Sequence, residues 1–373
     1  MVKLYCWLQA GMLAFFMAGA TLTGHAQIKN WKGVPITAAA VDQFLKKQMD
    51  SLKIPALSIA LINDGQLVYH RAWGVADLDT RKQVNDSSLF EAASLSKPLF
   101  SFFVMKMVEK GLLNLDTPLY QYLPFPELSH DDRYKQVTAR MVLDHTTGFP
   151  DWRWLDPVTG EWDGLRKMYI QQNPGTFSYS GEAHNYLAKV IAHLNGLTLK
   201  DLDALFQQEV ARPLGMQHAY FSWNPLMGQN KVTGYRKGKV YRNKWDAADA
   251  MYNDSTVFGP ANALHTEAVS YARFLLAMIN DKGLQPRTIN EMLKIQSRIP
   301  PDQEKHFGVI KGWGLGFAVE PTDQDTRYSH SGENPGFLAF CAFSQKQKNG
   351  YVFFTNGDQG GILNMRLRVF LNE

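Results

Sequence analysis

The chain has 373 residues, of which 45% are hydrophobic and 20% are charged, and its formal net charge is +4 at pH 7. These values are typical of a globular protein that is long enough to bury a substantial core as one large or two medium-sized domains. No dense run of lysine and arginine occurs, so the sequence gives no indication of a nucleic-acid or membrane-surface partner.

The N-terminal residues have the layout of a secretory signal peptide. Lys3 supplies a positive charge, a long apolar stretch follows, and small residues precede a possible cleavage site after Ala26. We therefore predict a signal peptide at 1–26 and a single mature domain at 27–373. The expected location is periplasmic or secreted in a bacterial envelope, without stable membrane insertion after cleavage. An uncleaved membrane anchor is the alternative, because the apolar stretch is nearly long enough to span a bilayer.

The spacing of apolar residues predicts the helices and strands. Asp64-Gly65 joins two strand-like runs, which is typical of a β-hairpin, and Thr266 is predicted as the N-cap of the helix after it. The predicted strands are 57–63, 67–74, 313–319, 336–344 and 351–356, and the predicted helices are 37–52, 95–111, 138–145, 182–195, 199–212, 266–281 and 362–371. Because strands lie at both ends of the chain, we expect them to form one antiparallel sheet, with the helical middle as a second lobe and a cleft between the two.

Ser94 and Lys97 form a candidate nucleophile and base at the start of the predicted helix 95–111. Free backbone N–H groups at a helix start favour a developing negative charge there. Lys97 is three positions after Ser94, so both side chains share one helical face, and a buried lysine with a lowered pKa can accept the serine proton. The alternative is a capping serine with a surface lysine, because this pair of residues is common by chance.

Two later motifs follow Ser94 and Lys97 in order. Tyr179-Ser180-Gly181 opens a predicted helix, and His330-Ser331-Gly332 lies at the entry to a C-terminal strand. Further stretches agree with the same pattern, namely Gly111–Asp116, Thr138–Pro150 and Asn356-Gly357. Together these motifs resemble those of the serine β-lactamase and penicillin-binding-protein superfamily. The resemblance is closest to the class C β-lactamase branch, which includes D-alanyl-D-alanine carboxypeptidases and esterases.

The resemblance implies an α+β fold and a single catalytic domain. The antiparallel sheet would be formed from both chain ends with flanking helices, next to a helical lobe. Ser94 would attack a carbonyl and form an acyl-enzyme that water hydrolyses, while Lys97 and Tyr179 share the proton transfer and lower each other's pKa. His330 would hydrogen-bond Tyr179 or orient a substrate carboxylate. The backbone N–H groups of Ser94 and Glu333 would form the oxyanion hole.

Two positions depart from the family pattern. Gly181 stands where the family usually has an asparagine that contacts the acyl side-chain amide of β-lactams and peptides, and Asn185 is a possible substitute one helical turn later. His330 replaces the lysine of many β-lactamases, which removes a permanent positive charge. Both departures weaken a prediction of strong β-lactam hydrolysis. Gly332, Asn185 and Trp152 are the candidate substrate-binding residues.

Other sequence motifs that would indicate a metal site or a different hydrolase fold are missing. The ten histidines show no H-E-x-x-H pattern, so we predict no metal site, and no cofactor is expected. No G-x-S-x-G motif occurs, which argues against an α/β-hydrolase. His145 is predicted to have a structural hydrogen-bonding role, and Trp154 and Trp162 are candidates for the cleft wall.

Two classes of function remain open from the sequence. The first is a hydrolase of an ester or amide bond, of the carboxylesterase or D-amino-acid and cell-wall peptidase type, acting on a small molecule or peptide with a scissile carbonyl. The second is a penicillin-binding or ligand-binding protein of the same fold with little turnover, or a weak β-lactamase.

Overall fold

A computed structural model describes residues 27–154, 167–241, 256–323 and 325–373 of the protein. The predicted signal peptide at 1–26 and Trp162 lie outside these described residues. Within the described ranges, no helix is both long enough and apolar enough to cross a membrane.

The longer elements lie near the predicted positions. The described helices are α1 Ala38–Leu52, α2 Ser96–Glu109, α3 Ala139–Leu143, α4 Glu182–Leu194, α5 Leu202–Phe206, α6 Arg212–Leu214, α7 Pro225–Asn230, α8 Ala268–Ile279, α9 Pro286–Leu293, α10 Glu304–Phe307 and α11 Gly360–Phe370. The described strands are β1 Ala56–Asn63, β2 Gln66–Gly74, β3 Phe90–Glu91, β4 Ala219–Tyr220, β5 Tyr235–Arg236, β6 Lys239–Val240, β7 His265–Thr266, β8 Ser297–Arg298, β9 Gly312–Trp313, β10 Ala318–Pro321, β11 Thr326–Asn334, β12 Phe337–Ser344 and β13 Asn349–Thr355.

The main sheet has eight strands in the order β2-β1-β13-β12-β11-β10-β9-β8, and each neighbouring pair is antiparallel. Strands β1 and β2 come from the N-terminal part and the other six from the C-terminal part, which confirms the prediction that the chain ends meet in one sheet. The hairpin turn between β1 and β2 has left-handed φ values at Asp64 and Gly65. An Asp-Gly pair adopts that conformation readily, so it fixes the turn that joins these strands.

Both faces of the sheet are covered by helices. Strand β1 is buried along its whole length, and its side chains alternate between two cores. Leu57, Ile59 and Leu61 pack with α1 and α11, whereas Ala60 and Ile62 join the larger core that contains α2, α4 and α8. The larger core includes the helical lobe between β2 and β8, so the lobe packs directly on one face of the sheet.

Three local predictions are wrong for identifiable reasons. The predicted strand 313–319 is two short strands, β9 and β10, because Gly314 and Gly316 make a turn there. Gly316 has a left-handed φ of 104° and the Gly314 N–H donates to the Phe317 carbonyl over 2.8 Å, so the chain bends here and does not continue as a strand. Glu267, rather than Thr266, caps α8 through its carboxylate, since Thr266 is paired in β7. His330 lies inside β11 and not at its entry.

Candidate active site

Ser94 lies in a 3₁₀ turn, Ala93–Leu95, that leads directly into α2. Its side chain is partly exposed, whereas the neighbours on both sides are buried. Ala93 has a left-handed φ of 48°, a conformation that costs a non-glycine residue roughly 1–2 kcal/mol. The adjoining Ala92 N–H donates to the Leu264 carbonyl over 2.8 Å, which ties the turn to a neighbouring loop. The predicted position of Ser94 at a helix start is therefore confirmed.

Lys97, in the first turn of α2, is fully buried. Its Nζ lies 3.0 Å from Ser94 Oγ and 3.0 Å from the Ala261 carbonyl oxygen. Burial lowers the pKa of Lys97 to about 8, and the Asp151 carboxylate acts in the opposite direction. The alternative of a surface lysine beside a capping serine is wrong. The amine is instead held against the serine hydroxyl, with a pKa close enough to neutrality for it to accept a proton.

Tyr179 lies close to the same amine, three positions before the start of α4. Lys97 Nζ is 4.7 Å from the centre of the Tyr179 ring. Burial and the Asp151 carboxylate raise the pKa of Tyr179, and a hydrogen bond with Ser94 opposes them. The expectation that Tyr179 has a lowered pKa is therefore wrong, because desolvation disfavours the phenolate. The tyrosine keeps its hydroxyl proton near neutral pH and can relay a proton without ionising.

His145 holds the Tyr179 segment in place. The two rings are stacked at 4.2 Å between centroids. The Ser178 N–H donates to the His145 carbonyl over 2.7 Å, and the Ser180 N–H donates to His145 Nδ1 over 3.1 Å. Burial holds the pKa of His145 well below its usual range, so the ring is neutral. The prediction of a structural hydrogen-bonding role is confirmed, and the structure adds that the group it positions is Tyr179.

His330 is buried on β11, with its ring centroid 6.2 Å from that of Tyr179. Its Nδ1 lies 2.7 Å from the Ser331 carbonyl oxygen, so Nδ1 carries the proton and Nε2 is an acceptor. Burial and the charge of Lys97 lower the pKa of His330 to about 3. Among the described residues Nε2 has no hydrogen-bond partner, so the expected hydrogen bond to Tyr179 is wrong. A neutral ring of this tautomer also cannot attract a carboxylate by charge.

Gly332 brings β11 against the Ser94 turn. A Cβ at this position would lie 2.3 Å from the Ala92 carbonyl oxygen and 3.0 Å from the Ser94 amide nitrogen. No side chain fits there, which explains why glycine follows His330-Ser331. The next residue, Glu333, has an exposed side chain. Strand β11 therefore runs directly beside the Ser94 amide, as an oxyanion hole made of the Ser94 and Glu333 amides requires.

The Trp152 ring fills the space that a side chain at position 181 would take. A Cβ at Gly181 would lie 2.7–3.0 Å from three carbons of the Trp152 ring. The centroid of that ring is 5.7 Å from Lys97 Nζ, so Trp152 lies at the site. Asn185 is partly exposed on α4, and among the described residues no hydrogen bond joins its side chain to Ser94 or Lys97. The structure therefore brings the Trp152 ring to the place next to Gly181.

Sequence reasoning missed three groups that contact or face the Lys97 amine. Asp151 accepts the Gly181 N–H at 2.9 Å and acts electrostatically on Lys97. Ala261 supplies a backbone carbonyl to the Lys97 amine. The ring of buried His184 lies 5.3 Å from that of His145, between centroids. Asp151 directly precedes a candidate residue, so its position was a usable signal, whereas a backbone carbonyl leaves none. Within the described ranges, no group of three or more His, Cys, Asp or Glu side chains is placed to hold a metal ion.

The fold and the contact between Ser94 and the buried Lys97 amine together define a protein of the serine β-lactamase and penicillin-binding-protein type. The sequence matches the Beta-lactamase family over residues 41–368, and the chain belongs to that family.

Curated relatives and solved structures agree with this assignment. The chain is 23% identical over 327 residues to Penicillin-binding protein 4* of Bacillus subtilis (strain 168), with 79% of this chain and 66% of the relative aligned. It is 23% identical to the putative penicillin-binding protein PbpX of the same organism, over 84% of this chain and 74% of the relative. The chain thus spans about two thirds to three quarters of these two relatives.

Two solved structures share the fold. One is the octameric penicillin-binding protein homologue from Pyrococcus abyssi, with a TM-score of 0.72 and 19% identity, covering 91% of this chain and 78% of that one. The other is the D-alanine carboxypeptidase AmpC from Burkholderia cenocepacia, with a TM-score of 0.65 and 23% identity, covering 85% of this chain and 93% of that one. These likenesses confirm the predicted β-lactamase-type architecture.

Proposed function

We propose that this protein is an exported serine hydrolase that cleaves an ester or amide bond through an acyl-enzyme on Ser94. The observation that carries the proposal is the buried Lys97 amine, 3.0 Å from Ser94 Oγ and with its pKa lowered to about 8. A serine hydroxyl is a weak nucleophile until a base accepts its proton. A desolvated amine at hydrogen-bond distance supplies that base.

In the proposed reaction, Ser94 Oγ forms a bond to the substrate carbonyl carbon while Lys97 Nζ takes the hydroxyl proton. The oxyanion that forms is stabilised by the amides of Ser94 and Glu333. Its collapse breaks the bond to the leaving group, which receives the proton from Lys97 through the Tyr179 hydroxyl. Water then attacks the acyl-serine with the same groups acting in reverse, which releases the acid and restores Ser94.

The electrostatics of the site favour an uncharged carboxylic ester over a peptide with a terminal carboxylate. His330 is neutral, and its free Nε2 accepts rather than donates a hydrogen bond. A penicillin-binding protein with little turnover is the second candidate, and the similarity to Penicillin-binding protein 4* and to PbpX favours it.

Covalent labelling tests the nucleophile and separates the two candidates. A fluorescent alkyl phosphonate is expected to label the wild type on Ser94, and Ser94→Ala is expected to lose the label. Strong labelling by a fluorescent penicillin would favour the second candidate. Equal labelling of both proteins would overturn the proposal. Turnover of p-nitrophenyl esters, nitrocefin and a D-Ala-D-Ala peptide then distinguishes a hydrolase from a protein that is acylated and not released. N-terminal sequencing of the protein from periplasmic and culture fractions tests export, with a start at Gln27 expected.

The pH dependence of kcat/KM is expected to report the Lys97 amine. Because the neutral amine accepts the serine proton, kcat/KM for a neutral ester should rise with pH through a midpoint near 8 and then level off. The Asp151 carboxylate raises the pKa of Lys97, so Asp151→Asn should move the midpoint to lower pH. The three histidines around this amine, at 145, 184 and 330, have lowered pKa values and stay neutral through this range.

Asp203→Asn is the matched control for that measurement. Asp203 on α5 is a carboxyl whose pKa burial raises to about 6; it accepts the Phe221 N–H at 2.8 Å, and it is not among the groups that shift the pKa of Lys97. Its removal should leave the midpoint where it is. A midpoint that does not move in Asp151→Asn, or moves to higher pH, would contradict the assignment of Lys97 as the base.

A further inference from the structure

Trp152 occupies the space that a side chain at position 181 would need. The atoms in contact with Gly181 are Cη2, Cζ2 and Cζ3 of its six-membered ring, which carry no polar group. The Trp152 ring is stacked on Trp154 at 4.6 Å and 20°, and Trp154 is buried. Trp152 itself is partly exposed. The indole is thus supported from behind by a second ring, and it lies beside Lys97.

The residues on both sides of Trp152 bind the start of α4. The Asp151 carbonyl and Oδ1 accept the Gly181 N–H at 3.1 Å and 2.9 Å. The Arg153 guanidinium makes two hydrogen bonds of 3.1 Å to the Glu182 carboxylate, and both of these side chains are buried. Bidentate pairs of this kind fix geometry as well as distance. Trp152 is therefore held at the site by its neighbours, and it is not a mobile surface side chain.

Among the described residues, the three atoms nearest to a Cβ at position 181 are apolar ring carbons of Trp152, while the Asp151 carboxylate is engaged with the Gly181 N–H. Glycine contributes no side-chain group, and the part of the indole that covers it has only carbon and hydrogen. A substrate group on this side therefore meets a flat apolar surface. Flat aromatic groups gain by stacking on such a surface, whereas an amide would lose its hydrogen bonds to water without replacement.

We infer that Trp152 determines specificity, with its indole forming an aromatic wall for a flat, apolar group next to the scissile carbonyl. The preferred substrates are then arylalkyl or aryl carboxylic esters, and not substrates recognised through an acylamino group. This inference rests on the proposed function, because the wall selects the acyl group that the substrate transfers to Ser94.

The test compares two p-nitrophenyl esters that differ only in the acyl group, phenylacetate and acetate. The wild type is expected to prefer phenylacetate in kcat/KM. Trp152→Ala should reduce this preference by about tenfold, the size of one aromatic contact. Trp152→Phe keeps an aromatic face and should retain most of the preference. Trp223→Ala, which removes an exposed tryptophan elsewhere, should leave the ratio unchanged.

The possible outcomes separate the inference from the proposed function. If the wild type neither hydrolyses the esters nor takes up a phosphonate on Ser94, the proposed function fails. If the wild type turns over both esters and Trp152→Ala leaves the ratio unchanged, only the aromatic wall is wrong. A rise in the phenylacetate preference in Trp152→Ala would also overturn it, since the indole would then be an obstruction. Phosphonate labelling of Trp152→Ala shows that the variant has folded with an intact nucleophile.

Discussion

Lys97→Met is expected to lower kcat/KM for ester hydrolysis by about 10³-fold, within the range that general base catalysis contributes. The Lys97 amine is the group within 3.0 Å of Ser94 Oγ whose pKa lies near neutrality. Methionine has an unbranched chain of similar length, so it fills the buried space while removing the proton acceptor. The loss should appear in the acylation step, measured as the rate of p-nitrophenol release in a pre-steady-state burst.

Lys106→Met on the same helix is the matched control, since Lys106 Nζ bonds the Gly283 carbonyl outside the site. It should retain wild-type kcat/KM. The melting temperature of Lys97→Met should stay within about 3 °C of the wild type, because a volume-conserving change replaces a buried polar group. A Lys97→Met variant that keeps more than a tenth of wild-type acylation would rule out the amine as the principal base.

The proximity of Ser94 to Lys97 and the strands of the main sheet could be predicted from the sequence, because spacing along the chain encodes both. Ser94 and Lys97 are three residues apart at a helix start, so helical geometry alone places them together. The apolar runs at both chain ends are long, and the sheet they form buries β1 on both faces. Tyr179 and His330 could be selected as candidates because their motifs follow Ser94 and Lys97 in the family's order. The spacing of the residues alone would not have selected them.

The charge states and the Gly181 neighbourhood could not be predicted in the same way. The pKa values of Tyr179 and His330 depend on how deeply the fold buries them, and no local sequence pattern encodes that depth. The contact of Trp152 with Gly181 joins residues 29 positions apart, through hydrogen bonds of their neighbours that form only in the folded chain. From the sequence, Gly181 indicated only that the family's asparagine amide is missing. The structure shows that the Trp152 indole fills the space of that side chain.

Gly332→Ala is expected to reduce acylation of Ser94 by about 10²–10³-fold, the cost of losing one oxyanion-hole donor. A Cβ at 332 would lie 2.3 Å from the Ala92 carbonyl oxygen and 3.0 Å from the Ser94 amide nitrogen. Both are backbone atoms, so no side-chain rotation relieves the overlap, and either β11 or the Ser94 turn must move. Since the Ser94 and Glu333 amides lie on these two segments, their spacing changes whichever one moves. The loss should fall on kcat rather than on KM, because the oxyanion forms only in the transition state.

Gly361→Ala on α11 provides the comparison, because its added Cβ would lie an ordinary 3.9 Å from the Leu338 side chain on β12. It should keep wild-type activity. Circular dichroism of Gly332→Ala should match the wild type, because the overlap affects one turn and leaves the cores on both faces of the sheet in place. If Gly332→Ala folds and acylates Ser94 at the wild-type rate, the oxyanion hole is not formed between β11 and this turn. If instead kcat falls while KM and secondary structure stay the same, the close approach of β11 to Ser94 is what makes the pair of amides effective.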